Sequence, residues 1–194
     1  WHVDSGTYLG FARDLAKDDE AELLAIPRKQ RAEVRRAMGF DLEVVTGTRE
    51  RSEHYAVYAE SVRNLGTPVF PKALFDAVLD ELGDRADILT VRREGAAIAS
   101  VLSLYWRGTV MPYWGGGTRD ARTWRANDLM YYALMCHARA NKGCTRFDFG
   151  RSKVGTGPAA YKHHWGFEGE PLSYAKLSLN GGGVRDINPM SPKY

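Results

Sequence analysis

Thiols and soft metal ligands are scarce in this 194-residue sequence. It has two cysteines, Cys136 and Cys144, in no CxxC pair and with no histidine at zinc-finger spacing. That excludes a disulfide scaffold or a zinc finger and fits a reduced compartment. Cys136 falls on the apolar side of a predicted helix and reads as a small core residue. No apolar run approaches the roughly 18 residues of a membrane-spanning helix, and no signal peptide is seen. The first residue is Trp1 rather than Met, which leaves open a targeting segment upstream. A charge excess is also lacking. Lys and Arg total 27 against 24 Asp and Glu, and the resulting +3 does not by itself point to nucleic acid. Neither a Walker A loop nor GxGxxG is present. Gly150 to Gly155 is followed by Thr156-Gly157 rather than Lys-Ser/Thr. No internal repeat is found.

What is present suits a globular chain. Hydrophobic residues make up 44% and charged residues 26%, enough to bury a core and too apolar for wholesale disorder. Ten Tyr and five Trp are mostly core material, with some to spare for a ligand cleft.

The pattern predicts a short strand over 7–12 with no partner nearby, then helical sequence over 19–38 split at Pro27 and closed by Gly39. Ser52 is placed as the cap of a helix ending before Gly66, and another helix runs from Pro71 to Leu82. A three-strand meander follows at 86–92, 96–106 and 109–114, broken by Gly115-Gly116-Gly117. A long helix over 123–140 keeps apolar spacing, with His137 as its exception. Then come a strand at 144–149, a glycine-rich loop, a short helix, a strand at 172–179 and an irregular tail. Helices, meander, helix, strand, helix, strand describe a mixed α/β (α+β) fold around a central sheet.

Four groups of residues could carry chemistry. In the strand-to-loop segment 147–158, Phe147 and Phe149 face the core and Asp148 faces away. The loop with Arg151 and Lys153 is either an anion-binding nest or a solvated surface turn. Asp148 is either a proton acceptor or a carboxylate paired with Arg146 or Arg151. Tyr161-Lys162 follows. An ammonium there would stabilise the oxyanion of an acyl-transfer intermediate, the plain alternative being a surface lysine. The adjacent His163 and His164 do not converge and make a poor metal site, so no metal is expected. The third group is a basic helix with Arg28, Arg31 and Arg35 on one stripe and Lys29 and Arg36 beside it. Only Glu33 offsets them, and Val34, Ala37 and Met38 lie opposite. This face would dock on phosphates or an anionic membrane surface, or simply be solvated. Arg63 at a helix end and Tyr113 at a strand end are further substrate-binding positions, each with an ordinary structural reading.

Taken together, PRKQRAEVRRAM, YAESVRNLGTPVF, GAAIASVLSLYWRGTVMPYWGGG, RANDLMYYALMCHARANKGCTRFDFGRSKVGTG and YKHHWGFEGEPLSY resemble the FemAB-like family of the GNAT acyltransferase superfamily. The GRSKVGTG loop and the tail Asn188-Pro189-Met190-Ser191-Pro192-Lys193-Tyr194 resemble the subgroup associated with PEP-CTERM and exosortase systems. The resemblance covers residues 7–194. It implies a GNAT-like fold with a splayed, largely antiparallel sheet flanked by helices. It also implies two tandem domains, of which residues 1–39 hold a remnant of the first and the basic connection, 40–180 the second, and 181–194 the tail. The activity implied is transfer of an aminoacyl or acyl group to an amine of a peptidoglycan or exopolysaccharide precursor. Tyr161-Lys162 then matches the family's aromatic-lysine pair, with Lys162 catalytic, and Tyr113 and Arg63 match positions lining the precursor pocket. Tyr161 replaces the usual Phe, and His163-His164 a more typical Lys-Asn. The basic connection is much shorter than the coiled-coil arm of members that bind tRNA strongly.

The expectation is therefore an enzyme with no bound cofactor, its donor aminoacyl-tRNA or acyl-CoA. Lys162 would stabilise the oxyanion, Asp148 is the candidate for proton work, and Arg151, Lys153 and Tyr161 would hold substrate. The acceptor is an envelope-precursor small molecule or a lipid-linked one. Charged tRNA and peripheral membrane contact are further candidate partners, and the expected location is cytoplasmic, at the inner membrane face. An acetyl-CoA-dependent N-acetyltransferase is the main rival. Its Arg/Gln-x-x-Gly-x-Gly/Ala signature would fall at ARTWRAND, where Arg125 and Asn127 stand in place of small residues. A non-catalytic polysaccharide- or nucleic-acid-binding protein on the same fold is the third reading.

Overall fold

Two tight turns organise the middle of the chain. Glu94-Gly95 and Arg107-Gly108 both take positive φ, the geometry that joins twisted antiparallel strands through two residues. They link β3 (Ala86–Arg93), β4 (Ala96–Trp106) and β5 (Thr109–Gly117). Around this meander the computed structural model, which describes residues 2–177, places the other elements. These are β1 (His2–Asp14), α1 (Asp19–Ala25), α2 (Arg28–Met38), β2 (Glu43–Thr46), α3 (Arg51–Asn64) and α4 (Lys72–Leu82). After the meander come α5 (Ala126–Lys142), β6 (Arg146–Lys153), α6 (Gly157–His164) and β7 (Gly169–Lys176).

The strands form one seven-stranded sheet in the order β2-β3-β4-β5-β6-β1-β7. Ala86 to Val91 of β3 are buried at every position, as expected where helices cover both faces of a sheet. On one face Ile88 and Leu102 pack with Tyr58 of α3 and Phe75 and Leu79 of α4. On the other, Leu89, Val91 and Val101 belong to a core with Val34 of α2 and Met130 and Leu134 of α5. The mixed α/β class and the GNAT-like, largely antiparallel open sheet are as the sequence predicts.

All pairings are antiparallel except β5–β6. Those two strands run parallel and are paired only at Thr109↔Arg146 and Val110↔Phe147. Beyond Val110 they separate, and this splay positions the site.

Several boundaries differ from the sequence reading. The strand expected over 7–12 spans 2–14 and does have partners, since it lies between β6 and β7 and pairs with both. Gly115–Gly117 do not break β5 but extend it along β4. β6 runs on through Lys153, so Gly150, Arg151 and Ser152 belong to a strand rather than a loop. Ser52 lies inside α3, which begins at Arg51 after a 3-10 turn. β2 was not anticipated, and β7 begins at Gly169. The tail assigned to 181–194, with its Asn188–Tyr194 motif, lies outside the described residues.

Candidate active site

Past the splay, where β5 ends, lies a cavity of about 820 Å³. One wall is Gly116 and Gly117 of β5, with Ser61, Asn64 and Leu65 of α3. Gly116 must be glycine because a Cβ there would collide with Ser61, and one at Gly117 would meet Ala121 and Asn127 within 3.0 Å. The opposite wall is the head of α5, with Asn127, Asp128 and Tyr131, joined by Tyr161 of α6. Arg119, Arg122 and Arg125 supply three guanidinium groups on the connection between β5 and α5.

Asp128 is half-buried, and its Oδ1 accepts a 2.6 Å hydrogen bond from Gln30 of α2. Desolvation raises its pKa, and the Glu33 carboxylate pushes the same way, against the Gln30 hydrogen bond and the Arg125 charge. Arg125 pairs with Glu33 at 2.5 Å and has φ +54°, a left-handed conformation that costs a non-glycine residue roughly 1–2 kcal/mol. Asn127 Oδ1 and Thr118 Oγ1 are buried without a hydrogen-bond partner. Burial lifts the Tyr161 hydroxyl well above its ordinary range, with Tyr131 and Asp128 adding to the shift.

Lys162 follows Tyr161 on α6 but does not line the cavity. Its Nζ donates 3.0 Å hydrogen bonds to the carbonyls of Gly150 and Arg151, and it sits over the rings of Phe11 and Phe149. Desolvation lowers its pKa to about 8, partly opposed by Asp148. Asp148 pairs with neither Arg146 nor Arg151. Its Oδ1 accepts the Gly150 N–H at 2.8 Å, while Arg146 pairs with Asp14 and Arg151 with the Tyr174 hydroxyl.

The sequence-predicted residues thus fall into separate places. Tyr161 lines the cavity; Lys162 and Asp148 are neighbours along the middle of β6. Arg151 lies against the rings of Tyr8 and Tyr174, and its charge also feels Tyr113, which is 59% exposed. Lys153 is exposed one turn of strand further on. Arg63 is exposed at the end of α3, donating to Ala59 O at 3.2 Å, and does not line the cavity. On the basic helix Arg28, Lys29 and Arg35 are exposed, Arg36 pairs with Glu33, and Arg31 donates to Leu24 O. Val34 and Ala37 are buried as expected, whereas Met38 is 51% exposed. His163 and His164 are exposed, and among the described residues no group of three or more His, Cys, Asp or Glu could hold a metal. No helix among them is long and apolar enough to cross a membrane.

Residues 25–163 match the acetyltransferase (GNAT) domain. The chain belongs to this family. The fold is shared with several solved structures. FemX superposes with a TM-score of 0.77 at 15% identity, over 86% of this chain and 61% of that one. The C-terminal domain of a putative lysylphosphatidylglycerol synthetase from Agrobacterium fabrum gives 0.67 at 16%, over 89% and 60%. L-PGS from Bacillus licheniformis gives 0.62 at 18%, over 92% and 63%. At such identities the likeness is one of fold, and the chain spans about 60% of the first two of these structures. No curated protein sequence matches it.

Within the GNAT domain, Arg122, Arg125 and Asn127 occupy the turn from β5 into α5. Sequence reasoning judged Arg125 and Asn127 only as obstacles to a pyrophosphate and missed Asp128 altogether. The spacing Arg122-x-x-Arg125-x-Asn127 carries no acidic signature, and the partner that fixes Asp128 lies on α2, 98 residues away.

Proposed function

We propose that this GNAT domain moves an aminoacyl or acyl group from aminoacyl-tRNA or an acyl-CoA to an amine of a cell-envelope precursor, in the manner of FemAB-like enzymes. The observation carrying this reading is the cavity at the end of β5, with three arginines and Tyr161 in its lining and Lys162 next to Tyr161 on α6. Guanidinium groups suit the phosphates common to both donors. Lys162, held on two backbone carbonyls, would present its remaining N–H toward a developing oxyanion, and Arg151 and Lys153 would hold phosphate on donor or acceptor. Tyr113 beside Arg151 suits an acceptor sugar ring, and Arg63 would act from the rim of the same surface. Asp148, beside Lys162, would help to hold that ammonium charged.

The PEP-CTERM-associated subgroup, an acceptor carrying peptidoglycan or exopolysaccharide chemistry, and work at the inner membrane face all belong to this proposal. The name of the putative lysylphosphatidylglycerol synthetase, whose C-terminal domain shares this fold, supports a lipid-linked acceptor. The exposed cations of α2 suit tRNA or an anionic lipid surface.

One observation favours acetyl-CoA as donor. Arg125 takes φ +54°, a conformation glycine adopts freely, at the position where the nucleotide-binding signature has glycine. The test is single-turnover transfer by the full-length protein from acetyl-CoA and from aminoacyl-tRNA. Lys162→Ala is expected to slow transfer roughly 100-fold or more, and full activity in that variant would refute the role given to Lys162.

A further inference from the structure

The three arginines of the cavity are not equally free to take a phosphate. Arg119 and Arg122 are exposed, and among the described residues neither guanidinium pairs with a carboxylate. Arg125 is held. Its Nε lies 2.5 Å from Glu33 Oε2 on α2, and its Nη1 donates a 2.6 Å hydrogen bond to Arg122 O. Glu33 is itself shared, because Arg36 Nη1 donates to both of its oxygens at 3.0 Å. One carboxylate thus lies between a cation that lines the cavity and a cation that does not.

Resting on the reading that this cavity takes the anionic donor, we propose that Glu33 is a positioning residue that sets donor affinity through Arg125. It acts as a removable counter-ion. A donor phosphate draws Arg125 away from Glu33, and Arg36 keeps the carboxylate that is left.

The geometry suits such an exchange. The Arg125–Glu33 contact is close, yet Arg125 Nε makes no hydrogen bond, so its N–H is not aimed at the carboxylate. A phosphate can offer the guanidinium two aligned, charge-assisted hydrogen bonds instead. The two side chains are 34% and 32% exposed, where solvent screens an ion pair and little is lost in breaking it. Glu33 is not stranded when Arg125 leaves, since both of its oxygens already accept from Arg36. Only one side chain has to turn. The helix that carries Glu33 stays anchored by Val34 and Ala37 in the core and by Gln30 on Asp128.

The sign of each substitution follows. Without the Glu33 charge, Arg125 is free from the outset and the donor binds more tightly. Without Arg36, Glu33 has Arg125 as its one remaining cation, grips it harder, and the donor binds more weakly. The effect of Arg36, which lies outside the cavity lining, therefore passes through Glu33.

Calorimetric titration of the full-length protein with inorganic pyrophosphate and with a non-hydrolysable acetyl-CoA analogue tests this. Glu33→Gln should tighten binding by about two- to fivefold, and Arg36→Gln should weaken it by a similar factor. In the double variant the Arg36→Gln penalty should vanish, and in an Arg125→Gln background Glu33→Gln should change little. A merely structural role for Glu33 would instead weaken binding in Glu33→Gln. A general loss of positive field would carry the Arg36→Gln penalty into the double variant. Either result, or unchanged affinity in Glu33→Gln, would overturn this proposal while wild-type binding upheld the donor reading. Binding of neither probe, nor of a non-hydrolysable aminoacyl-tRNA mimic, by the wild type would overturn both.

Discussion

Gln30 of α2 donates to Oδ1 of Asp128 at 2.6 Å, so the basic helix and the cavity wall are one mechanical unit. The same helix holds Arg125 through Glu33 while Arg28, Lys29 and Arg35 stay exposed on its outer side. A hydrogen bond to an ionised carboxylate lowers its pKa, so Gln30→Leu should raise that of Asp128 further. Carboxyl-carbon NMR of aspartate-labelled protein should then show Asp128 titrating at higher pH in Gln30→Leu than in the wild type.

His54 is fully buried between α3 and β4, with Nδ1 3.0 Å from Ser100 Oγ and its ring against Tyr58 and Phe75. Desolvation lowers its pKa from 6.5 to about 4. Below pH 6.5 the unfolded chain takes up a proton that the folded chain refuses until about pH 4. Stability should therefore fall as pH drops through this window, by about 3 kcal/mol from this group. Urea denaturation at pH 7 and pH 4.5 measures it, and His54→Gln should remove most of the slope.

Lys162 gives a slope in the alkaline range. Its folded pKa of about 8 lies below the ordinary lysine value of 10.5, so between those values the unfolded chain holds the extra proton. Stability should rise with pH across that interval in the wild type and stay flat in Lys162→Met. Thermal melts from pH 7.5 to pH 10.5 compare the two. The same variant should lose transfer activity, which separates the lysine's cost to the fold from its use in chemistry.

Gly116 and Ser61 form a close approach between β5 and α3. Gly116→Ala should destabilise by about 1–3 kcal/mol, because the new Cβ meets the Ser61 side chain. Ser61→Gly should recover much of that loss despite its own helix cost of about 1 kcal/mol. A double-mutant cycle in denaturant should give a coupling of about 1 kcal/mol or more.

The meander, the long helix and the Pro27 and Gly39 boundaries were legible because each rests on local signals such as alternation, helical spacing and breakers. The errors lie where a distant segment decides. Gly115–Gly117 look like a break, yet they are strand because Val101 and Ser61 press too close for side chains. β1 seems unpartnered until β6 and β7, well over a hundred residues later, close on both sides of it. Gly150 takes φ +71° where β6 shifts register against β1, so a continuous strand resembles a loop. In the site, the Tyr161-Lys162 pair stood out by its motif, but nothing local shows that Tyr161 lines the cavity while Lys162 bonds the backbone of β6. Asp128 was invisible for the same reason, since its burial and its hydrogen bond come from α2.

The anionic acyl donor is expected to bind in the cavity at the end of β5. Calorimetric titration of the full-length protein with a non-hydrolysable acetyl-CoA analogue and a non-hydrolysable aminoacyl-tRNA mimic, in wild type and in Arg122→Glu, tests it most directly. Arg122 is exposed at the cavity rim, so its reversal should leave the fold intact. One of the two donors should bind, and Arg122→Glu should weaken that binding by roughly tenfold or more. Binding of neither donor, or equal affinity in both proteins, would contradict it.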